Sequence, residues 1–187
     1  MGEALKKTTF DRESYLRWEA EQNNKNEYLA GEVFAMVGAR REHVVVALTI
    51  GAKLREHLKG SRCQTFVSDM KLFVEAVDAY FYPDVMVSCD ERDRRADLFV
   101  EHPNLLVEVL SDSTAAYDRG EKFAAYRQIA SLSEYLLVDI EHRRLELYRR
   151  AEGYWQMMET RDDLPPLTLE SVGMSITTQW AFEDLLE

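Results

Sequence analysis

The run Leu105-Leu106-Val107-Glu108-Val109-Leu110 constrains this chain more than any other stretch. Continuous branched apolar residues of that length suit a strand buried on both faces. A carboxylate in the middle has no folding rationale, because an unpaired charge in a protein interior costs several kcal/mol. The segment Tyr80 to Ser88, also expected as a strand, carries Asp84 directly after Pro83. Side chains alternate faces along a strand. Asp84 therefore shares a face with Tyr82 and Met86, and Glu108 with Leu106 and Leu110. If the two strands are neighbours, both acids converge on one side of a sheet.

A cation follows. Asp118-Arg119-Gly120-Glu121-Lys122 opens a helix expected from about Arg119 to Ile129. Lys122, Tyr126 and Ile129 fall at i, i+4 and i+7, so the lysine lies in line with an apolar stripe and points partly inward. There its ammonium needs a carboxylate or an anionic ligand; the alternative is a stem packed along the surface with its charge in water. Asp118 and Glu121 form a D-x-x-E pattern, which assigns Asp118 first to capping the helix. Two carboxylates, a backbone carbonyl and waters suit Mg²⁺, with Mn²⁺ as a substitute. Such an ion polarises a phosphoryl oxygen and lowers the pKa of bound water. Each piece is a weak signal alone; together they point to phosphodiester chemistry.

The remaining segments predict one α/β (α+β) domain over 1–187, with a mixed central sheet flanked by helices. An N-terminal helix is expected at about 9–20, capped by Thr9, with Phe10, Ser14, Tyr15 and Trp18 on one face. The core covers about 27–160, and a tail with a short helix about 161–187. A hairpin turns at Ala30-Gly31. A helix opens near Glu42-His43, buries Ala47, Ile50, Leu54 and Leu58, and stops at Gly60. Period-two alternation from Phe66 to Glu75 predicts one half-buried strand. Cys89 to Glu101 is expected to be a solvated loop or a frayed helix, and Arg143, Arg144, Arg149 and Arg150 a charged sheet edge, the alternative being a basic binding surface.

Composition narrows the function. A net charge of −11 over 187 residues argues against a sequence-reading DNA binder, which would carry a basic surface. It argues less against a metal-dependent nuclease, whose acidic site recruits cations. No apolar run is long enough to span a membrane, and the first residues lack a signal-peptide apolar region. Cys63 and Cys89 have no metal-binding spacing and are expected to be reduced thiols in a cytoplasmic protein.

Pro83-Asp84 followed by Glu108-Val109-Leu110 resembles the PD-(D/E)XK nuclease superfamily. The longer phrase from Leu106 through Ser111-Asp112-Ser113-Thr114 to Tyr117-Asp118-Arg119-Gly120-Glu121-Lys122 and Tyr126 is more specific. It is similar to the restriction-endonuclease-like branch called the Uma-two family. The similarity runs from about Thr9 to Ile176 and includes Gly31-Glu32 and His43. It implies a restriction-endonuclease-like core, Asp84 and Glu108 as metal ligands, and the Val109 carbonyl as a further ligand. The superfamily's lysine belongs two residues after the glutamate, where this chain has Leu110; the family pattern implies that Lys122 supplies the ammonium instead. Glu32 is the candidate for an additional acid, the alternative being an exposed hairpin residue. His43 is either a site-lining base or a structural residue. The expected activity is Mg²⁺-dependent endonucleolytic hydrolysis of DNA, by a homodimer or higher homo-oligomer if both strands are cut. The alternatives are an inactive nuclease-fold binding or assembly protein and a metal-dependent nucleotide phosphohydrolase.

Overall fold

The computed structural model describes residues 10–185. Helix α1 (Arg12–Glu19) starts at Asp11, whose carboxylate accepts the Ser14 N–H at 2.7 Å. Thr9, the expected cap, lies outside the described residues. Tyr15 is fully buried, and Phe10 packs on Trp18 with ring centroids 5.2 Å apart. Strands β1 (Asn26–Leu29) and β2 (Glu32–Ala35) form the expected hairpin. Its two turn residues, Ala30 and Gly31, have φ of 48° and 95°. Positive φ at both central positions is the geometry that favours Asn-Gly, and it costs an ordinary L-residue about 1–2 kcal/mol. Ala30→Asn is therefore expected to raise the thermal midpoint by about 2 °C, as read by differential scanning calorimetry.

Helix α2 (Arg41–His57) buries Ala47, Ile50 and Leu54 as expected, and Gly60 (φ 81°) follows its end. The next two segments depart from expectation. The single strand foreseen after Phe66 is two, β3 (Gln64–Val67) and β4 (Lys71–Val74), broken at Ser68 with φ 36°. The strand foreseen at 80–88 is also two, β5 (Ala79–Phe81) and β6 (Val85–Ser88). Pro83 has no N–H to offer a ladder, and the chain changes sheets across it. Then come β7 (Phe99–Val100) and β8 (Pro103–Val109). Helical turns follow as α3 (Ala115–Tyr117), a widened π-turn over Asp118–Lys122, and α4 (Phe123–Tyr126). The chain closes with β9 (Glu134–Asp139), β10 (Arg144–Arg150), β11 (Trp155–Thr160), β12 (Leu167–Leu169), β13 (Met174–Ile176) and α5 (Thr178–Phe182).

The central sheet has six strands in the order β11-β10-β9-β8-β6-β3, and the β8–β9 pair is parallel. A parallel pair needs a crossover, and the segment from α3 to α4 supplies it. A second sheet of five strands, β2-β1-β5-β4-β7, carries the hairpin. One apolar cluster joins α2 and α5 to Val85, Val107, Val109 and Val138 on one face of the central sheet. Another joins Met86, Leu106 and Leu137 on the opposite face to Phe81, Phe123 and Tyr126. Strand β8 is thus covered on both sides, which is why its sequence is apolar throughout. Among the described residues, no helix is long and apolar enough to cross a membrane.

Three further expectations are corrected. Cys63 and Cys89 are not free thiols: they flank the paired residues Gln64 and Ser88 of β3 and β6 and are joined as a disulfide. The arginines around β10 do not form an exposed edge, because β10 lies between β9 and β11. Arg144 binds Asp139 (3.2 Å) and Glu146 (2.6 Å), Arg149 binds the fully buried Glu134 (2.8 Å), and Arg150 donates to the carbonyls of Leu132 and Ile129. The 89–101 segment is not merely solvated, since buried Asp93 accepts from Ser88 Oγ and from the N–H groups of Glu101 and His102.

Candidate active site

The antiparallel pairing Val85–Val107 and Met86–Leu106 sets Asp84 across from Glu108. The two acids therefore share the face that also carries Met86 and Leu106. Asp84 Oδ2 accepts the Val109 N–H at 2.8 Å and lies 3.2 Å from His43 Nε2, which reaches it from the first turn of α2. Glu108 Oε1 accepts the Tyr126 hydroxyl at 2.8 Å and lies 2.8 Å from Lys122 Nζ.

Lys122 collects carboxylates from three elements. Its ammonium is 3.2 Å from Glu27 Oε1 on β1 and 3.7 Å from Asp118 Oδ1 one turn earlier, besides the contact with Glu108 on β8. Glu27, Glu108, Asp118 and Lys122 are all buried. The widened turn holds both Asp118 and Lys122 inward, while Arg119 points to β9 and β10 and binds Glu146 at 2.8 Å and Asp139 at 3.1 Å. Asp118 is not the helix cap its sequence pattern suggested: its own N–H bonds to Thr114 O inside a continuing helix.

Three acids face one buried ammonium, and the protonation equilibria follow. Burial pushes the Glu108 carboxyl well above its usual range, nearby Asp84 and Asp118 push it further, and Lys122 only partly offsets them. Burial and the neighbouring Glu27 and Asp84 likewise raise Asp118, against Lys122 and Thr114. For Lys122, burial acts downward but is outweighed by Glu108, Glu27, Tyr126 and Asp118, so its ammonium form is held well above the ordinary lysine value. Burial also acts downward on His43, and the Asp84 carboxylate and Val109 backbone overcome it. His43 Nδ1 is buried and has no hydrogen-bond partner among the described residues.

The donor set fits a hard divalent cation. Asp84, Glu108 and the Val109 carbonyl offer oxygen alone, the chemistry that Mg²⁺ and Mn²⁺ accept. Among the described residues, no three His, Cys, Asp or Glu side chains are grouped to chelate a metal. An ion held here would rely on two carboxylates and water, the habit of Mg²⁺.

The structure brings together Asp84, Glu108, Val109 and Lys122 and adds His43 and Tyr126 at hydrogen-bonding distance. It does not bring in Glu32, which is exposed at the start of β2. The upstream acid beside Lys122 is Glu27, which also accepts the Tyr82 N–H at 3.3 Å. Glu27 stood in plain view as an acid in the first strand of a hairpin. What hid it is that β1 is an interior strand of the second sheet, flanked by β2 and β5.

The model of the Uma2 family, described as "Putative restriction endonuclease", matches residues 12–179. The chain belongs to the Uma2 family. Uma2 relatives include the Synechocystis sp. protein slr1290, 37% identical over 92% of this chain and 91% of its own length. A second Synechocystis sp. protein, sll1609, is 35% identical over 78% of this chain and 84% of its own. Both are described as uncharacterized. A crystal structure from Anabaena variabilis, titled as a putative nuclease belonging to DUF820, superposes with a TM-score of 0.78 at 16% identity, covering 93% of this chain and 98% of that one. The Uma2 chain thus has the restriction-endonuclease-like fold. Within it Leu110 is buried in the apolar cluster against Phe123 and Tyr126, and the ammonium beside Glu108 comes from the helix.

Proposed function

We propose that this Uma2 chain is an endonuclease that hydrolyses DNA phosphodiester bonds with a divalent cation, Mg²⁺ or Mn²⁺, at Asp84, Glu108 and Lys122. The observation that carries the reading is the buried Lys122 ammonium 2.8 Å from Glu108, on the strand next to Asp84. Asp84, Glu108 and the Val109 carbonyl would hold the ion. When bound, it supplies charge for a phosphoryl oxygen and a water of lowered pKa. Lys122 is a preorganised cation for the negative charge that develops on the phosphoryl oxygens during in-line attack. Glu27, Asp118 and Tyr126 hold that ammonium and Glu108 in register. Asp84 and His43 are the more open members, with side chains 16% and 20% exposed against 5% for Glu108. Substrate therefore enters on their side, where His43 Nε2 stays paired with Asp84.

Cleavage of supercoiled plasmid and of single-stranded DNA, with Mg²⁺, Mn²⁺ or chelator, tests this. Asp84→Asn and Lys122→Met are each expected to lower the rate at least about 10²-fold. Rates equal to wild type in both variants would refute the assignment. Turnover of nucleotides without DNA cleavage would assign a phosphohydrolase. One observation favours a second reading, an inactive nuclease-fold assembly protein: Lys122 and Tyr126 already occupy Glu108 Oε1. Calorimetric titration decides between them, since that reading requires no Mg²⁺ or Mn²⁺ binding near the millimolar range.

A further inference from the structure

Two lysines outside the acidic cluster stand at the end of the second sheet, where the chain passes from β5 to Asp84. Continuing the β4–β5 register one step past Leu72–Phe81 sets Lys71 opposite Tyr82. Continuing the β1–β5 register two steps past Tyr28–Tyr80 sets Asn26 opposite the same tyrosine, with Lys25 next to it. Tyr82 is buried, and both ammoniums lie against its ring, 5.3 Å from the centroid for Lys71 and 5.9 Å for Lys25. An aromatic face holds a cation without neutralising it. Lys71 is half-buried and has no ion pair or hydrogen bond among the described residues. Burial pushes its ammonium below the ordinary lysine value, and Glu19 offsets that only in part. The Glu19 oxygens are already taken by the Tyr82 hydroxyl at 2.9 Å and by the Asn26 backbone and side-chain amides at 2.8 and 2.9 Å. Among the described residues Lys25 has one acidic partner, Asp69, whose side chain is 86% exposed. Such a surface pair is worth at most about 1 kcal/mol, so another anion can take the carboxylate's place.

Backbone contacts tie these lysines to the proposed metal site. The β3–β4 turn that carries Asp69 is bonded to Asp84 itself, from the Ser68 N–H to the Asp84 carbonyl at 3.2 Å. The Tyr82 N–H donates to Glu27, which holds Lys122 at 3.2 Å. We propose that Lys25 and Lys71, mounted on Tyr82, form a subsite for backbone phosphates of the nucleic-acid strand that flanks the phosphodiester at Asp84 and Glu108. A chain of net charge −11 needs local cations to hold a polyanion, and these two are not cancelled by buried acids. Contacts of this kind set the register of a strand and read no sequence. The subsite takes its ligand, a phosphodiester strand, from the nuclease reading, but its charge is measured without cleavage.

Fluorescence anisotropy of a labelled oligothymidylate strand, with Ca²⁺ in place of Mg²⁺ and over a series of salt concentrations, provides the test. Each lysine that neutralises one phosphate of a single strand contributes about 0.7 to the slope of log Kd against log salt. Lys25→Gln and Lys71→Gln are each expected to lower the slope by about that amount, and the double variant to weaken binding at low salt at least about tenfold. Lys71→Arg is expected to keep the wild-type slope. Lys59→Gln, the same change of charge at an exposed position beyond the other end of α2 from His43, is expected to leave it unchanged. No binding by wild type overturns the proposal. A slope indifferent to Lys25→Gln and Lys71→Gln, or lowered as much by Lys59→Gln, overturns it too. Displacement of the strand by an equal concentration of thymidine 5′-monophosphate would assign the lysines to a free phosphate and overturn the strand subsite. Lysine-dependent binding without cleavage in Mg²⁺ or Mn²⁺ would uphold the subsite and refute the nuclease. Cleavage by a wild type whose binding ignores both lysines would do the reverse.

Discussion

Lys122→Met is expected to destabilise the folded chain by about 3–5 kcal/mol, the range for breaking a buried ion pair by removing one partner. Methionine fills nearly the same space, so the loss is electrostatic: Glu27, Glu108 and Asp118 remain buried without the ammonium they surround. The pH dependence identifies the cause. Glu108 and Asp118 have folded-state pKa values raised by burial. A carboxyl raised in this way binds its proton more tightly when folded. Its contribution is fully present below the unfolded value, 4.5 for Glu108, and is lost as pH rises through the folded value. The deficit of Lys122→Met should therefore be larger at pH 8 than at pH 5, as read from urea unfolding midpoints at the two values. A loss below about 1 kcal/mol, or one indifferent to pH, would mean that the ammonium is solvated rather than buried.

Glu108→Gln is expected to move stability in the opposite direction. The substitution removes one of three acids competing for one cation, and glutamine can still accept from Tyr126 and Lys122. Unfolding free energy at neutral pH should rise by about 0.5–2 kcal/mol, the usual gain when an active-site compromise is relieved. Metal-dependent cleavage should fall at least about 10²-fold, the upper end for groups that merely support a ligand. Paired measurements of urea midpoint and plasmid nicking check both. A destabilised variant that still cuts would show Glu108 to be a structural acid. The opposite signs of these two substitutions separate a site that stores electrostatic strain from an ordinary ion pair.

Much of this arrangement is legible in one dimension because burial leaves a mark on composition. Glu108 betrayed itself by standing among Leu105, Leu106, Val107, Val109 and Leu110, where nothing local could satisfy it. Lys122 did so by sharing a stripe with Tyr126. The hairpin at Ala30-Gly31 and the span of α2 follow from turn chemistry and from three-to-four spacing. Other features were hidden because they depend on partners distant in sequence. Glu27 looks like any hairpin acid until β5 covers the other side of β1. Alternation from Phe66 to Glu75 fits one strand, yet Ser68 hands the chain from one sheet to the other. Asp118 had the spacing of a cap, and only a helix already begun at Ala115 denies it that role. The arginines of β10 looked like an edge because their counter-charges lie elsewhere, on β9, on β10 itself and in the segment after β12.

The widened turn at Asp118–Lys122 has a consequence for how such a site changes by insertion and deletion. An ordinary helix advances each residue by about 100°, so one additional residue in a turn is a rotation that the flanking turns must absorb. At Gly120 an added Cβ would meet nothing within 4 Å, so the backbone there is unencumbered. Loss of that single codon would rewind the segment and swing Asp118 and Arg119 away from the partners they now hold, while β8 and its glutamate stayed in place. The ammonium and the sheet-borne carboxylates Glu27 and Glu108 thus belong to separate pieces of chain whose phasing is adjustable one residue at a time, which gives a lineage a way to relocate its lysine without rebuilding the sheet.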